Sequence, residues 1–475
     1  MSAGAGARGG ARWSGSGLRG CGGRTAAGGA GEQCSGWRAV PLIRLVYLLL
    51  ALRWHAMPST SRDVADTAYV RRLNAQRVLT ALRAGSAMSA SELISATGMS
   101  RPTVHAAARH LIDLGWVAEA AADHGTSAPR RGRPSRVFAF RADAGHVLGI
   151  DVGAHTARAV LADLRGESVA ERQITFDDPD VEARRRIALV RDLAAGTVHD
   201  AGFGPGHVLS VCVGTSGTIS EAGVVRVRTG IPGFLDVDLR TAMAEGFGWH
   251  VTVENDCNLA AVAERWRGTA AGTEDFLCLL AGERLGVGVF TGGTLLRGHH
   301  NKARDLSFLK LMPGATLDGI GLLARRRGAE LVAGPARRRT ARTPRAAAAV
   351  LHDLVDGDPE RVDAEAVFRA VREGDKAAAG ILDQALDSTA RAVATLSMIL
   401  APELVVVSGA VAAAGDVLLE PLRRAVGRIV DDVPRLAASP LTHRAVVTGA
   451  LHHALQHTEG RYLDALAEAP SGVRP

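Results

Sequence analysis

The sequence predicts an α/β chain in which an N-terminal winged helix-turn-helix domain precedes a larger α/β body. Two short helical patterns joined by a glycine-containing turn occupy residues 89–112, and a basic stretch with an alternating strand follows at 130–140. Beyond them, three apolar strands at 148–153, 211–217 and 404–410 each run into a glycine-containing loop, with helical stretches between them.

The 475 residues exceed one ordinary domain, so two or three cores are expected. With 47% hydrophobic and 22% charged residues the chain is globular; with 4% aromatics its cores rest on Ala, Leu and Val. Its net charge of +7 is uneven: residues 1–56 carry +6, residues 57–140 carry +5 and the remainder carries −4. A basic front on a mildly acidic body places any nucleic-acid surface at the front. Cys21, Cys34, Cys212, Cys257 and Cys278 form no CxxC pair and no His-Cys cluster. That argues against a disulfide framework or a thiolate zinc site and fits a reducing, cytoplasmic location.

Residues 1–60 read as a leader, disordered or preceding the true start at Met57. Gly, Ala, Arg and Ser dominate to Gly36 without period, and the apolar run 40–52 is broken by Pro41 and Arg44. It is shorter than the ~20 apolar residues that span a bilayer, so no membrane association is expected.

The DNA-binding candidate covers residues 68–140. A first helix over 70–82 aligns Val70, Leu73, Val78, Leu79 and Leu82 and ends at Gly85. A second opens with Ser89 and Glu92 at capping-box spacing, turns Leu93 and Ile94 inward and stops at Gly98. A third has Ser100 as N-cap and Pro102 in its first turn, with Val104, Ala108, Leu111 and Ile112 inward. Its outward residues Arg101, Thr103, His105 and Arg109, with Ser100, stand where a recognition helix meets bases and phosphates. An ordinary three-helix bundle with a polar face is the alternative. The stretch 130–136 decides for double-stranded DNA, because Arg131 and Arg133 in a Gly/Pro context before strand 137–140 suit a groove-reaching wing better than a linker.

The body covers residues 146–460. Its first strand delivers Asp151 and Gly153; a second, over 159–163, follows, with Gly166 supplying a hairpin turn. Gly214 and Gly217 end the 211–217 segment, and Ser408 and Gly409 end the 404–410 segment. Such loops approach a nucleotide closely. Between them, Val253-Glu-Asn-Asp-Cys-Asn-Leu-Ala-Ala261 places Asn255 and Asp256 at the start of a helix. An amide beside a carboxylate suits recognition of a polyol; a plain helix cap is the alternative.

With Glu254-Asn-Asp-Cys-Asn-Leu-Ala-Ala261, Asp151-Val-Gly153 and Ser408-Gly409 in place, the chain from 68 to about 460 resembles the ROK family (repressors, open reading frames and kinases) of the actin-like ATPase superfamily. The resemblance implies a two-lobed actin-like ATPase fold (ROK sugar-kinase-like). The preceding helix-turn-helix implies a regulator whose operator affinity responds to a sugar or sugar-phosphate effector, and a homodimer or higher homo-oligomer. It carries the family's sugar contacts onto Asn255, Asp256 and Asp305, and makes Asp256 a vestigial base position rather than a catalytic residue.

Departures from the family's pattern set the regulator apart from the kinases. Where these show Asp-x-Gly-Gly-Thr, Ala154 and His155 follow Gly153; where Gly-Thr-Gly-x-Gly is expected, Arg284 lies between Gly282 and Gly286. A Cβ or bulky side chain narrows a loop whose backbone should wrap phosphate. Asp151, Gly153, Gly214, Gly217, Ser408 and Gly409 therefore read as degenerate nucleotide loops. Phe308 replaces a zinc-binding His, and residues 309–320 hold no Cys or His, so no metal or cofactor is expected. Gly230 stands where the family has a sugar-contacting Asn.

Arg325–Arg327 and Arg337–Arg339 read as solvated surface, and 357–374 and 377–400 as helices joined at Asp375. The second turns Ile381, Leu382, Leu386, Val393 and Leu396 inward. His452, His453 and His457 lack a further ligand class nearby, so they suit a surface or interface better than a metal. Three functions remain: a ligand-responsive regulator, a sugar kinase acting on its own genes, or a DNA-binding protein whose body only dimerises.

Overall fold

The computed structural model describes residues 59–120, 136–178, 181–226, 231–301, 306–334 and 349–468. Two units, 1–65 and 66–475, divide the chain. Of the first, the description holds only the opening of helix α1 (Ser59–Ala84). That helix starts within the expected leader and nine residues ahead of the expected domain boundary.

Among the described residues, three helices and a small sheet build the N-terminal domain. On α1 the buried residues are Ala75, Val78, Leu79 and Leu82, whereas Val70 and Leu73 are 52% and 40% exposed. The inward stripe is thus the i, i+3, i+4, i+7 set from Ala75, a small residue that the apolar pattern passed over. Strand β1 (Met88–Ser89) leads into α2 (Ala90–Thr97), where Ser89 and Glu92 close a capping box and Gly98 ends the helix in the left-handed region. Helix α3 (Arg101–Asp113) buries Val104, Ala107, Ala108 and Leu111, with Ile112 packed against the same core. Strands β2 (Val117–Ala120) and β3 (Val137–Phe140) pair antiparallel, and β1 joins the outer side of β3. This is the predicted winged helix-turn-helix.

Among the described residues, the body contains two five-stranded sheets of the same topology. In the first, β4 (His146–Val152), β5 (Thr156–Asp163) and β6 (Ser168–Thr175) run antiparallel. Strands β7 (Val208–Thr215) and β8 (Val251–Asn255) add in parallel on the far side of β4. The second sheet repeats the plan with β9 (Phe276–Ala281), β10 (Leu285–Thr291) and β11 (Thr294–Leu295) antiparallel, then β12 (Leu404–Ser408) and β13 (Arg435–Ala438) parallel. Gly166, at φ +82°, turns β5 into β6; the earlier β4–β5 hairpin closes at residues 153–156, where Gly153 N–H bonds Thr156 O at 2.9 Å.

Helix α4 (Ala183–Asp200) covers the first sheet, and α5 (Leu239–Ala244) leads into β8. Helix α6 (Asp256–Arg267) follows β8 and packs between β10 and the long C-terminal helix. The second lobe adds α7 (Ile320–Ala333), α8 (Ala349–Leu354), α9 (Ala364–Arg372), α10 (Lys376–Leu400) and α11 (Asp416–Gly427). Helix α12 (Ala445–Glu468) returns to the first lobe. The helix expected over 357–374 begins only at Ala364, because Gly357 turns at φ +73° and Asp363 caps the later start. Asp375 caps α10, whose five predicted inward residues are all buried.

Glycines on two neighbours, α12 and β10, let α6 approach closely. A Cβ at Gly449 of α12 would stand 1.9 Å from Leu259 O, and one at Gly288 of β10 would stand 2.3 Å from Cys257 O. One at Gly286 would meet Cys257 Sγ at 2.4 Å. Among the described residues, no helix is long and apolar enough to cross a membrane.

Candidate functional site

On the DNA-binding side, Arg101 and Arg109 are exposed on α3. Ser100 accepts the Thr103 backbone N–H, and the two hydroxyls lie 2.8 Å apart, so both residues serve the N-cap. His105 sets its ring edge-on to Phe138 of β3, 6.1 Å between centroids, and so braces the recognition helix against the wing. Arg131 and Arg133 lie outside the described residues; Arg136 at the base of the wing pairs with Glu119 at 2.7 Å. Among the described residues, the candidate reading side chains are thus Arg101 and Arg109. Arg101→Ala should relax preference at one base position by about 1–3 kcal/mol in competition binding against site variants. A uniform loss across all sequences would instead make Arg101 a phosphate contact.

In the body, the parallel strands β4, β7 and β8 bring their C-terminal ends to one edge. Asp151 lies beside Gly214, Gly214 beside Glu254, and Thr215 beside Asn255. Burial pushes the Asp151 carboxyl up to about 7; the charge of Asp256 pushes it the same way, and Arg158 opposes both. Asp256 Oδ1 accepts from Asn255 Nδ2 at 2.8 Å and from the Cys257 N–H at 2.8 Å. Two carboxyls at one sheet edge make a site able to accept hydrogen bonds from the hydroxyls of a polyol.

Asn255 has a different part from the one expected. Its Oδ1 caps α6 by accepting from the N–H groups of Cys257 and Asn258, at 2.9 and 3.2 Å. Its Nδ2 donates to Gly217 O at 3.0 Å as well as to Asp256. A buried amide so engaged positions Asp256 and the 217 loop; the helix-cap alternative describes it. The neighbour that sequence reasoning passed over is Glu254. Its Oε1 accepts from the Asn255 N–H and from Asn258 Nδ2, and its Oε2 pairs with Arg297 at 3.2 Å. A Glu within an apolar strand and directly before the Asn-Asp pair was the available signal. Asp305 lies outside the described residues, as does Gly230.

The glycine loops divide. Gly217 and Gly409 take left-handed backbone at φ +108° and +87°. Gly214 is a packing residue inside β7, where a Cβ would meet Leu259 Cδ1 at 2.7 Å and Val446 Cγ1 at 2.8 Å. Ser408 is fully buried and donates to Glu264 at 3.2 Å, in a cluster that Ser439 and the Thr269 N–H complete. Gly214 and Ser408 are therefore structural and are not loop groups. Gly286 likewise lies in β10 against Cys257, outside the 282–285 turn.

The first loop is held from behind. The buried Arg186 guanidinium donates to Gly153 O at 3.1 Å and Ala154 O at 2.9 Å and stacks over Phe176. In front, His155 Nε2 lies 3.7 Å from Glu283 Oε2, and Glu283 bonds Arg325 at 3.1 Å. The residues at the two expected phosphate loops thus face one another across the lobes. Arg325 and Arg326, read as solvated surface, pair with Glu283 and Asp318. On α12, His453 meets the Thr252 hydroxyl and His457 the Ser210 hydroxyl, each at 3.3 Å, so both join α12 to the sheet edge.

Comparison with known proteins agrees with this division. The family model described as "ROK family" matches residues 147–456, and that described as "MarR family" matches residues 58–125. A glucokinase of Thermotoga maritima is 30% identical over 319 residues, covering 64% of this chain and 95% of the relative. A xylose repressor of Caldicellulosiruptor bescii is 22% identical over 400 residues, covering 80% of this chain and 95% of the relative. Among solved structures, a ROK family transcriptional regulator described as a homologue of the E. coli MLC protein superposes with a TM-score of 0.64 at 19% identity. It covers 84% of this chain and 100% of that one. With the family model spanning most of the chain and the doubled five-stranded topology in place, this protein belongs to the ROK family.

Proposed function

We propose that the chain is a cytoplasmic, sugar-responsive transcriptional repressor that binds double-stranded operator DNA through the winged helix and a sugar or sugar phosphate between the lobes of its body. The observation that carries this reading is the joining of a DNA-binding domain to a body that keeps Asp256 at the cleft edge. The repressor relative covers 80% of this chain, more than the body alone supplies, whereas the glucokinase relative covers 64%, a share matching the body.

A non-enzymatic body fits the loops. The carbonyls of Gly153 and Ala154 are held by Arg186, and His155 and Glu283 face each other where phosphate would have to pass. A zinc ion does not fit the residues present, since Phe308 packs against the second lobe's core and no Cys or His follows to 320. The operator is expected to be a near-palindrome read by a homodimer, which light scattering of the complex would check.

Asp256→Ala tests the reading. Operator binding of the unliganded variant should be retained, while the response to D-xylose, D-glucose or their phosphates disappears. A ligand shifts an equilibrium only through contacts that differ between states, and Asp256 is its main polar anchor. Sugar phosphorylation by the wild-type chain that vanished in the variant would restore the kinase.

A further inference from the structure

Helix α6 begins beside Asn255 at the end of β8 and ends against the β5–β6 turn of the body. Its first residue is Asp256 and its last is Arg267. Twelve residues at 1.5 Å each separate the two ends by about 18 Å. At the far end, Arg267 Nη1 donates to Gly166 O at 3.0 Å, and its Nη2 donates to Arg165 O at 3.1 Å and to Glu167 Oε1 at 2.7 Å. The guanidinium stacks on Trp266, and a Cβ at Gly166 would stand 2.5 Å from that same indole. The β5–β6 turn therefore sits directly on the end of α6.

The turn itself is stiff, because Asp163 Oδ1 accepts the N–H groups of both Arg165 and Glu167 at 2.9 Å. From it, Arg165 reaches out of the body. Its Nη1 donates to Arg83 O at 2.9 Å and Gly85 O at 3.0 Å, at the C-terminal end of α1. Its guanidinium also lies over the Phe140 ring of β3, 5.4 Å from the centroid. One side chain thus caps the first helix of the DNA-binding domain and touches the strand behind its wing. Carbonyls at a helix end lack intrahelical donors, so this cap fixes where α1 ends and points. A second tie, between Arg83 and Glu459, joins α1 to α12.

We propose that α6 is the rod through which occupancy of the cleft reaches the DNA-binding domain, with Arg267 and Arg165 as its joints. The inference rests on the sensor reading above and names the regulation of that site. The backbone contacts at Gly449 and Gly288 leave α6 no room to bend against its neighbours, so it shifts as a unit when the lobes move about it. A displacement at Asp256 arrives at Arg267, is handed to the 163–167 turn and re-aims α1. Arg165 and Arg267 are positioning residues; neither touches the effector or DNA in this account.

Two measurements on the full chain test it. The first needs no effector: amide hydrogen exchange over residues 79–86 is compared among wild type, Asp256→Asn, Arg267→Ala and the double variant. Asp256→Asn should change protection at the end of α1 in the wild-type background and leave it unchanged once Arg267 is alanine. An effect that is absent in the wild-type background, or that persists without Arg267, overturns the relay. The second uses operator DNA with D-xylose and D-glucose as probes. Coupling between sites is typically about 5–150-fold in affinity. Arg165→Ala and Arg267→Ala should reduce the ratio to near one while sugar affinity stays at the wild-type level. Retention of the full ratio in both variants overturns the relay. Arg165→Lys, which keeps a positive charge beside Phe140 and at most part of the cap, should retain an intermediate ratio and serves where alanine unfolds the junction. If neither sugar alters operator binding while the exchange coupling is present, the sensor reading fails for those sugars and the relay stands.

Discussion

Asp151→Asn should flatten the fall in stability that the wild-type chain shows between pH 4 and pH 7. The carboxyl is pushed from an ordinary 3.8 up to about 7 by burial and by the neighbouring Asp256 charge. The folded chain therefore holds a proton that the unfolded chain has already lost across that window. Where the native state binds more protons, stability decreases as pH rises, and the loss is complete once pH passes the folded value. A gap of about three pH units corresponds to about 4 kcal/mol. Asparagine carries no charge to bury, so the variant should match wild type near pH 4 and exceed it by up to that amount at pH 8. Chemical denaturation at a series of pH values reads this directly. Parallel curves for the two proteins would show that Asp151 is ionised in the fold without penalty. An elevated Asp151 also bears on ligand binding, since near neutrality the carboxyl can donate as well as accept.

A comparable effect with no electrostatic origin is expected at Gly449→Ala. Alanine is the better helix former by about 1 kcal/mol, and in an open helical position it should stabilise. Gly380 in α10 has nothing within 4 Å of its Cβ position, and Gly380→Ala should show that gain. At Gly449 the same methyl meets the Leu259 carbonyl oxygen at 1.9 Å and its carbon at 2.5 Å. Backbone atoms cannot rotate aside as a side chain does, so α6 and α12 must separate. Overpacking of this kind costs about 3 kcal/mol or more when the backbone has to move. The unfolding midpoint in urea should fall for Gly449→Ala and rise for Gly380→Ala. Equal gains at both positions would show that α6 yields easily, which would also remove the rigidity on which its role as a rod depends.

Local signals carried much of the DNA-binding domain. The capping box at Ser89 and Glu92, the left-handed Gly98 and the Ser100 cap all depend on residues within four positions of one another, and each lies where its spacing places it. The same locality explains the misses. Val70 and Leu73 fit an apolar stripe, yet the side of α1 that enters the core is decided by partners elsewhere in the chain, and Ala75 occupies it. At the start of α6, the Asn-Asp pair announced a site, but whether the amide faces ligand or caps its own helix turns on Gly217, thirty-eight positions away.

The sequence by itself determined the order of domains, the recognition helix, the strand ends that carry Asp151 and Asp256, and the family, because helix caps, turn glycines and short motifs act over a few residues. Only the tertiary structure decided what the glycines and charges are for. Gly214 and Gly286 fit equally well in a phosphate loop or under a crossing helix, and it is Leu259 and Cys257 above them that settle the matter. Arg165 in a surface turn carries no local mark of importance. It acquires one because the fold sets that turn between Arg267 and the end of α1, so that contacts eighty and a hundred residues apart in sequence meet through one side chain and the turn that bears it.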